Sequence, residues 1–357
     1  METSFHVPAS RPKGAVFLPY FAVISALVLV CLAVFFLSLT LGSVNIPLNE
    51  VLSILLGEGA SRAAWENIIL KFRLPKAITA LLAGGALGVS GLMMQTFFRN
   101  PLADPFILGI SSGASLGVAL VVLSAGTAGG VLLAGIGLVG DALIVAAAGM
   151  GAGIAIFAVL AVARFVRHNM TLLVLGLMFG YITSSLISLL MHFSLTERVQ
   201  AYLNWTFGSF SGVTWSQMGL FIPLLVVAML GALRLGKTLN ALLLGEQYAQ
   251  SMGLNVRRAR LAVIIVTATL TGVTTAFCGP IGFIGIAVPH LARTLLKTAD
   301  HRLLLPATVF IGAIVAMGAS LFAEMPGSQL VLPLNAVMAL LGAPIVVGVL
   351  LRGQAMR

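Results

Sequence analysis

Charge is what this sequence has least of. Of 357 residues only 8% are Asp, Glu, Lys or Arg, and the acids are scarcer still, 10 against 20 Lys and Arg. With 59% hydrophobic residues and a mean hydropathy of +1.10, too little is left to build the polar exterior of a soluble domain. Cysteine is nearly absent as well. Cys31 and Cys278 both fall inside apolar runs, which excludes a disulfide framework and makes them core fillers. The five histidines show no ligand spacing, so no metal site is expected. No charged residue stands firmly inside an apolar run, where each would cost about 2.5–3.5 kcal/mol. That removes the groups an ion-coupled carrier or a tight intramembrane binding site would need.

What is present is apolar length. A helix needs about 20 apolar residues to cross the hydrocarbon core. Runs of that kind lie near 16–41, 75–97, 106–126, 141–163, 171–193, 215–233, 261–279, 304–323 and 331–351, and a tenth at 282–296 is too short to cross alone. The expectation is an all-α polytopic membrane protein of ten transmembrane helices, one of them short with a re-entrant loop, in a single domain over 1–357. The first run follows Arg11 and Lys13 but is longer than the 7–15 apolar residues of a signal peptide, so it reads as a retained span. With a cytoplasmic N-terminus, fifteen of the 20 Lys and Arg fall inside and only Arg62, Lys71, Arg73, Lys76 and Arg198 outside. This is the asymmetry of the positive-inside rule, and it accounts for the net charge of +10 without a nucleic-acid partner.

Glycines spaced three or four apart, at Gly84, Gly88 and Gly91, at Gly109, Gly113 and Gly117, and at Gly149 and Gly153, predict close helix approach in lipid. RNPLADP, Arg99 to Pro105, reads as a rigid turn, and Leu203 to Trp215 as a short external helix whose Trp pair suits an interface. The piece after the seventh run is too short unless the loop Gly279 to Gly285 dips into the membrane, which is tolerated only inside protein or beside a cavity. NPLADPFILGI and GPIGFIGI share a proline followed by Phe-Ile and glycine on opposite sides of the membrane, the pattern of an inverted repeat.

The longest polar stretch between runs is Gly236 to Arg260, basic but for Glu246. It reads as two short helices broken at Gly245 and Gly253, a surface on which an ATPase could push, with the apolar side of LNALLLG as its contact. Two motifs compete with this reading. Gly231 to Thr238 matches GxxxxGK[ST], but no strand precedes it and no acid is placed for magnesium. Gly109 to Gly113 matches GxSxG without a strand, a histidine or an acid in position, so an intramembrane hydrolase is the remote alternative.

Taken together, RLPK at 73–76, RNPLADPFILGISSGAS at 99–115, NWTFGSFSGVTW, LLGEQYAQSMGLNVRRAR, GPIGFIGIAVPHLAR and DHRLLLP at 300–306 closely resemble the FecCD-type permeases of ABC importers for iron-siderophores, haem and vitamin B12. The resemblance implies a permease in the bacterial cytoplasmic (inner) membrane with both termini cytoplasmic, carrying an iron chelate, or alternatively cobalamin. It implies partners: two ATP-binding cassette subunits holding ATP and Mg, a periplasmic or lipid-anchored substrate-binding protein, and a second permease subunit, as a homodimer rather than a heterodimer. The permease itself would carry no cofactor and no catalytic residue. By the resemblance, 236–260 is the coupling loop, with Leu239, Leu242, Leu243, Gly245, Glu246 and Gly253 its contact residues. Asn100, Leu102, Asn169 and Met170 lie where the family narrows its cytoplasmic gate. Arg73 and Lys76, on one helical face and expected to point toward water, would dock acids of the binding protein. Glu324 stands where relatives place a further basic contact, and is expected to meet a basic residue of the partner.

Overall fold

The computed structural model describes residues 14–123, 138–163, 165, 169–325 and 331–355, and every regular element among them is helical. In chain order these are α1 (Gly14–Thr40), α2 (Leu48–Leu56), α3 (Ala63–Asn67), a π-helical turn (Ile68–Arg73) running straight into α4 (Leu74–Phe98), a 3-10 turn (Pro105–Leu108), α5 (Ile110–Leu123), α6 (Leu138–Ala163) and α7 (Asn169–His192). Then follow α8 (Thr196–Thr206), α9 (Trp215–Arg234), α10 (Gly236–Leu244), α11 (Glu246–Ser251), α12 (Val256–Cys278), α13 (Ile284–Leu296), α14 (His301–Ala323) and α15 (Leu334–Ala355). Among the described residues seven helical segments are long and apolar enough to cross a membrane, and α5, α13 and the first part of α15 are shorter apolar helices.

The bundle is built around α4, which is buried without interruption from Ala83 to Phe98. A helix apolar on all sides has no solvent face to keep, and α4 packs against α1, α9, α12, α13 and α14. Its glycines set the distances. A methyl group on Gly84 would lie 2.3 Å from the Gly312 carbonyl of α14, and one on Gly91 1.9 Å from that of Gly285. A second layer of α5, α6 and α7 repeats the device, with Gly113 of α5 against Gly151 of α6. Here the expectation is corrected: Gly149 and Gly153 face open space, and the contact face of α6 carries Ala147, Gly151 and Ala155, offset by two residues.

The segment after α12 does enter the bundle. Gly279 (φ +75) and Phe283 (φ +69) break the helix, and the 13 residues of α13 span about 20 Å, short of the roughly 30 Å core. Gly285 nonetheless reaches Gly91 deep in α4 and lies against Pro105 of the turn after α4. The two sequence motifs expected on opposite sides of the membrane therefore meet at this point. The freed backbone is satisfied by Asn335 at the start of α15: its Oδ1 accepts from the Gly282 N–H at 3.1 Å, and its Nδ2 donates to the Thr206 and Pro280 carbonyls. Residues 203–215 differ from expectation. The helix there is α8, which begins at Thr196 and stops at Thr206, because Gly208 (φ +71) turns the chain against Pro280 and Ile281. Trp215 belongs instead to α9, whose start is fixed by a Thr214–Gln217 capping box.

Candidate functional site

The stretch Gly236 to Arg260 holds α10 and α11, joined at Gly245 (φ +121), with a second turn at Gly253 (φ +85), but its last five residues, 256–260, are the start of α12 and not part of the loop, which ends at Asn255. The partition of its faces differs as well. Leu239, Leu242 and Ala249 are buried within the protein, since α10 lies on α4 and α14. Gly245 is also buried, beneath the Arg99 guanidinium, and Glu246 is held by Arg260 in an ion pair. Of the six candidates, Leu243 and Gly253 are the exposed ones. The apolar surface actually presented is Leu243, Leu244, Tyr248 and Met252. Sequence reasoning missed the last three, although their spacing of four residues was legible; the break at Gly245 is what turns them outward together.

The loop is anchored by Asp300, the N-cap of α14, which accepts from the Arg302 N–H at 2.9 Å and from Asn240 Nδ2 at 2.6 Å. Burial pushes this carboxyl up, but those hydrogen bonds and the nearby Arg302 and His301 outweigh it and hold the group below the ordinary carboxylate range. The match to a phosphate-binding loop at 231–238 falls across the junction of α9 and α10, so no strand leads into it. Gly109 to Gly113 likewise leads into α5 from a 3-10 turn, with no strand before the serine.

The turn 99–109 lies at the same end. The Asn100 Oδ1 accepts from the Leu102 N–H at 3.0 Å, leaving the Leu102 side chain exposed, and the Pro101 carbonyl meets His290 Nε2 at 2.9 Å. Asp104 caps the 3-10 turn through the Phe106 N–H at 2.8 Å. Burial raises its carboxyl to about 6, against the lowering effect of that bond. Asn169 and Met170 open α7, but their side chains lie outside the described residues.

At the opposite end the docking candidates are occupied. The Arg73 guanidinium donates to the carbonyls of Leu39, Thr40 and Val44, fastening the end of α1. Lys76 forms an ion pair with Glu324 of the same chain, with side-chain exposures of 16% and 31%. Arg73 and Lys76 thus do not point freely into water, and Glu324 already has a base. All three line a cavity of about 360 Å³ between α1, α4 and α14.

A bundle of long apolar helices with a backbone break in its interior describes a multi-pass membrane protein. Residues 28–352 match the FecCD transport family. The chain is 38% identical over 331 residues to the vitamin B12 import system permease protein BtuC of Klebsiella pneumoniae, covering 92% of this chain and 93% of that protein. A putative ABC transporter permease protein of Methanocaldococcus jannaschii is 34% identical, with 87% and 90% covered. Among solved structures, an inward-facing conformation of a putative metal-chelate type ABC transporter superposes with a TM-score of 0.79 at 27% identity, covering 93% of this chain and 99% of that one. The chain belongs to the FecCD family and is the non-enzymatic permease subunit of an ABC importer, which works with a separate ATPase and a substrate-binding protein.

Proposed function

We propose that the chain carries a bulky metal chelate across the bacterial inner membrane, and that a corrinoid of the vitamin B12 type is the cargo. The observation that carries this reading is the 38% identity to a vitamin B12 permease over 92% of the chain. It moves the preference away from the iron chelate suggested by the motifs alone. The iron chelate stays as the second reading, supported by the likeness to a metal-chelate type transporter. The absence of Asp and Glu from α4, α12, α13 and α14 supports both, because a passage without carboxylates suits a wrapped metal better than a bare ion.

In this reading the chain crosses ten times with both termini in the cytoplasm, pairs with a second copy, and receives one ATPase on each copy. The ATPase seats on Leu243, Leu244, Tyr248 and Met252. Asn100 and Leu102, with Asn169 and Met170, narrow the inner mouth, and the Arg73, Lys76 and Glu324 end receives the binding protein. Uptake decides the cargo. Proteoliposomes carrying the permease, its ATPase and its binding protein should accumulate labelled cyanocobalamin on MgATP and leave a ferric hydroxamate outside; the reverse preference assigns the iron chelate instead.

A further inference from the structure

Although α4 is apolar for most of its length, its last turn carries Gln95 and Thr96, and these two and the C-cap Arg99 are fastened to other elements. Thr96 Oγ1 lies 2.6 Å from His301 Nε2 at the head of α14. The other side of that ring faces α10: the His301 Nδ1 and its backbone N are both 2.8 Å from Asn240 Oδ1. Because Asn240 Nδ2 donates to the Asp300 carboxylate, the amide has one permitted orientation, with Oδ1 toward the histidine. His301 Nδ1 then carries the proton and leaves Nε2 as an acceptor, facing a Thr96 hydroxyl that also lies 2.9 Å from the Leu92 carbonyl of its own helix. The contacts from Asp300 through Asn240 and His301 to Thr96 are continuous, and His301 and Thr96 are 1% and 2% exposed.

The neighbours of Thr96 continue the connection. Arg99, the left-handed C-cap of α4 (φ +49), covers Gly245 and reaches the Leu242 carbonyl at 3.5 Å. Gln95 turns the other way: its Nε2 donates to the Ile286 carbonyl at 3.3 Å, and its Oε1 accepts from Arg293 at 2.5 Å. From Ile286 the path leads directly to the re-entrant segment, and from there to α15 through Asn335.

We propose that Asn240, His301 and Thr96 form a rigid joint that passes displacement of the 236–255 loop into α4 and, through Gln95, into the re-entrant segment at Gly285 and Ile286. Apolar contacts such as Leu239 and Leu242 slide at little cost, whereas sliding this joint strands buried polar groups without their partners. Loop and helix are thereby made to move together. These are positioning residues, touching neither nucleotide nor cargo, and the inference rests on the docking role of the loop proposed above.

The test uses the reconstituted complex of permease, ATPase and binding protein, with a nitroxide at Val331→Cys. That site is 70% exposed, and its neighbour Leu332 is bonded to the end of α14. In the otherwise unmodified permease, MgATP should change the spectrum of this label. Thr96→Val, which removes only the hydroxyl, and Asn240→Leu should leave ATPase binding and hydrolysis intact while reducing the change by about fivefold or more. Thr96→Ser should restore it. Ser90→Ala, equally buried on the same helix but bonded only to the Leu87 carbonyl, should not alter it. A full spectral response in Thr96→Val and Asn240→Leu overturns the joint, as does an equal loss in Ser90→Ala. Leu244→Glu separates the two readings. If it releases the ATPase while the Thr96 and Asn240 variants respond normally, only the joint fails; if the ATPase stays bound and active, the docking role fails and the joint with it.

Discussion

Lys76 and Glu324 show what a single residue's neighbours decide. In the sequence they are 248 positions apart and of opposite sign; in the fold they are one ion pair, only partly open to solvent. Lys76→Met should cost about 1–2 kcal/mol, less than a fully buried pair because water still screens part of it. The double change with Glu324→Gln should recover at least about 0.5 kcal/mol, as a thermal-unfolding double-mutant cycle in detergent would record. Strictly additive losses would mean that the pair contributes nothing. The same geometry makes Arg73→Glu a poor probe of docking, since it also releases the end of α1 from its three carbonyl contacts. Asp104 gives a pH-dependent counterpart. Its folded value of about 6 stands above the ordinary 3.8. Between those two pH values the folded state keeps a proton that the unfolded state has lost, so stability falls as pH rises through the window. Asp104→Asn should therefore gain on the wild type from pH 4 to pH 6 and hold a constant lead above it. Parallel unfolding curves across that range would rule the shift out.

At the scale of the element, the 236–255 loop was readable in outline because glycine punctuates it, and Gly245 and Gly253 do adopt positive φ. Its two faces were not readable, because both are leucine-rich and only the packing of α10 against α4 and α14 separates Leu239 and Leu242 from Leu243 and Leu244. The two sets should respond differently to substitution. Leu242→Ala opens a cavity in the core and should cost about 2–5 kcal/mol of stability, with ATPase binding retained in whatever fraction folds. Leu244→Glu should leave the unfolding midpoint within about 0.5 kcal/mol of wild type while the ATPase no longer co-purifies. Loss of folding in Leu244→Glu would show that this face packs inside. The shortness of the helix after α12 was legible from the sequence, where only about 15 residues follow the glycines, but the support of the break before it was not. Nothing in the sequence near Asn335 signals that its amide would serve Thr206, Pro280 and Gly282 at once.

For the whole molecule, composition and run length located the apolar helices but not α2, α3 or α8, because in lipid the backbone must bond within each span and the apolar runs mark where that happens. Which helix would sit at the centre was less open to reading: α1 and α4 are both long and apolar, yet α1 is largely exposed and α4 is enclosed. The difference lies in side-chain size, with glycine and alanine on α4 admitting neighbours on every side and phenylalanine, leucine and valine on α1 filling its surface. Orientation rests on a separate argument, the fifteen-to-five division of basic residues, and it has a direct check. The native thiols are only 5% and 3% exposed, so they provide a quiet background. Tyr248→Cys and Leu56→Cys would introduce single exposed thiols, at 53% and 74%, in the loop and in α2. In intact spheroplasts a membrane-impermeant maleimide should label Leu56→Cys and spare Tyr248→Cys, and inverted vesicles should give the opposite pattern. Labelling of Tyr248→Cys from outside would reverse the topology and place the loop where no ATPase could reach it.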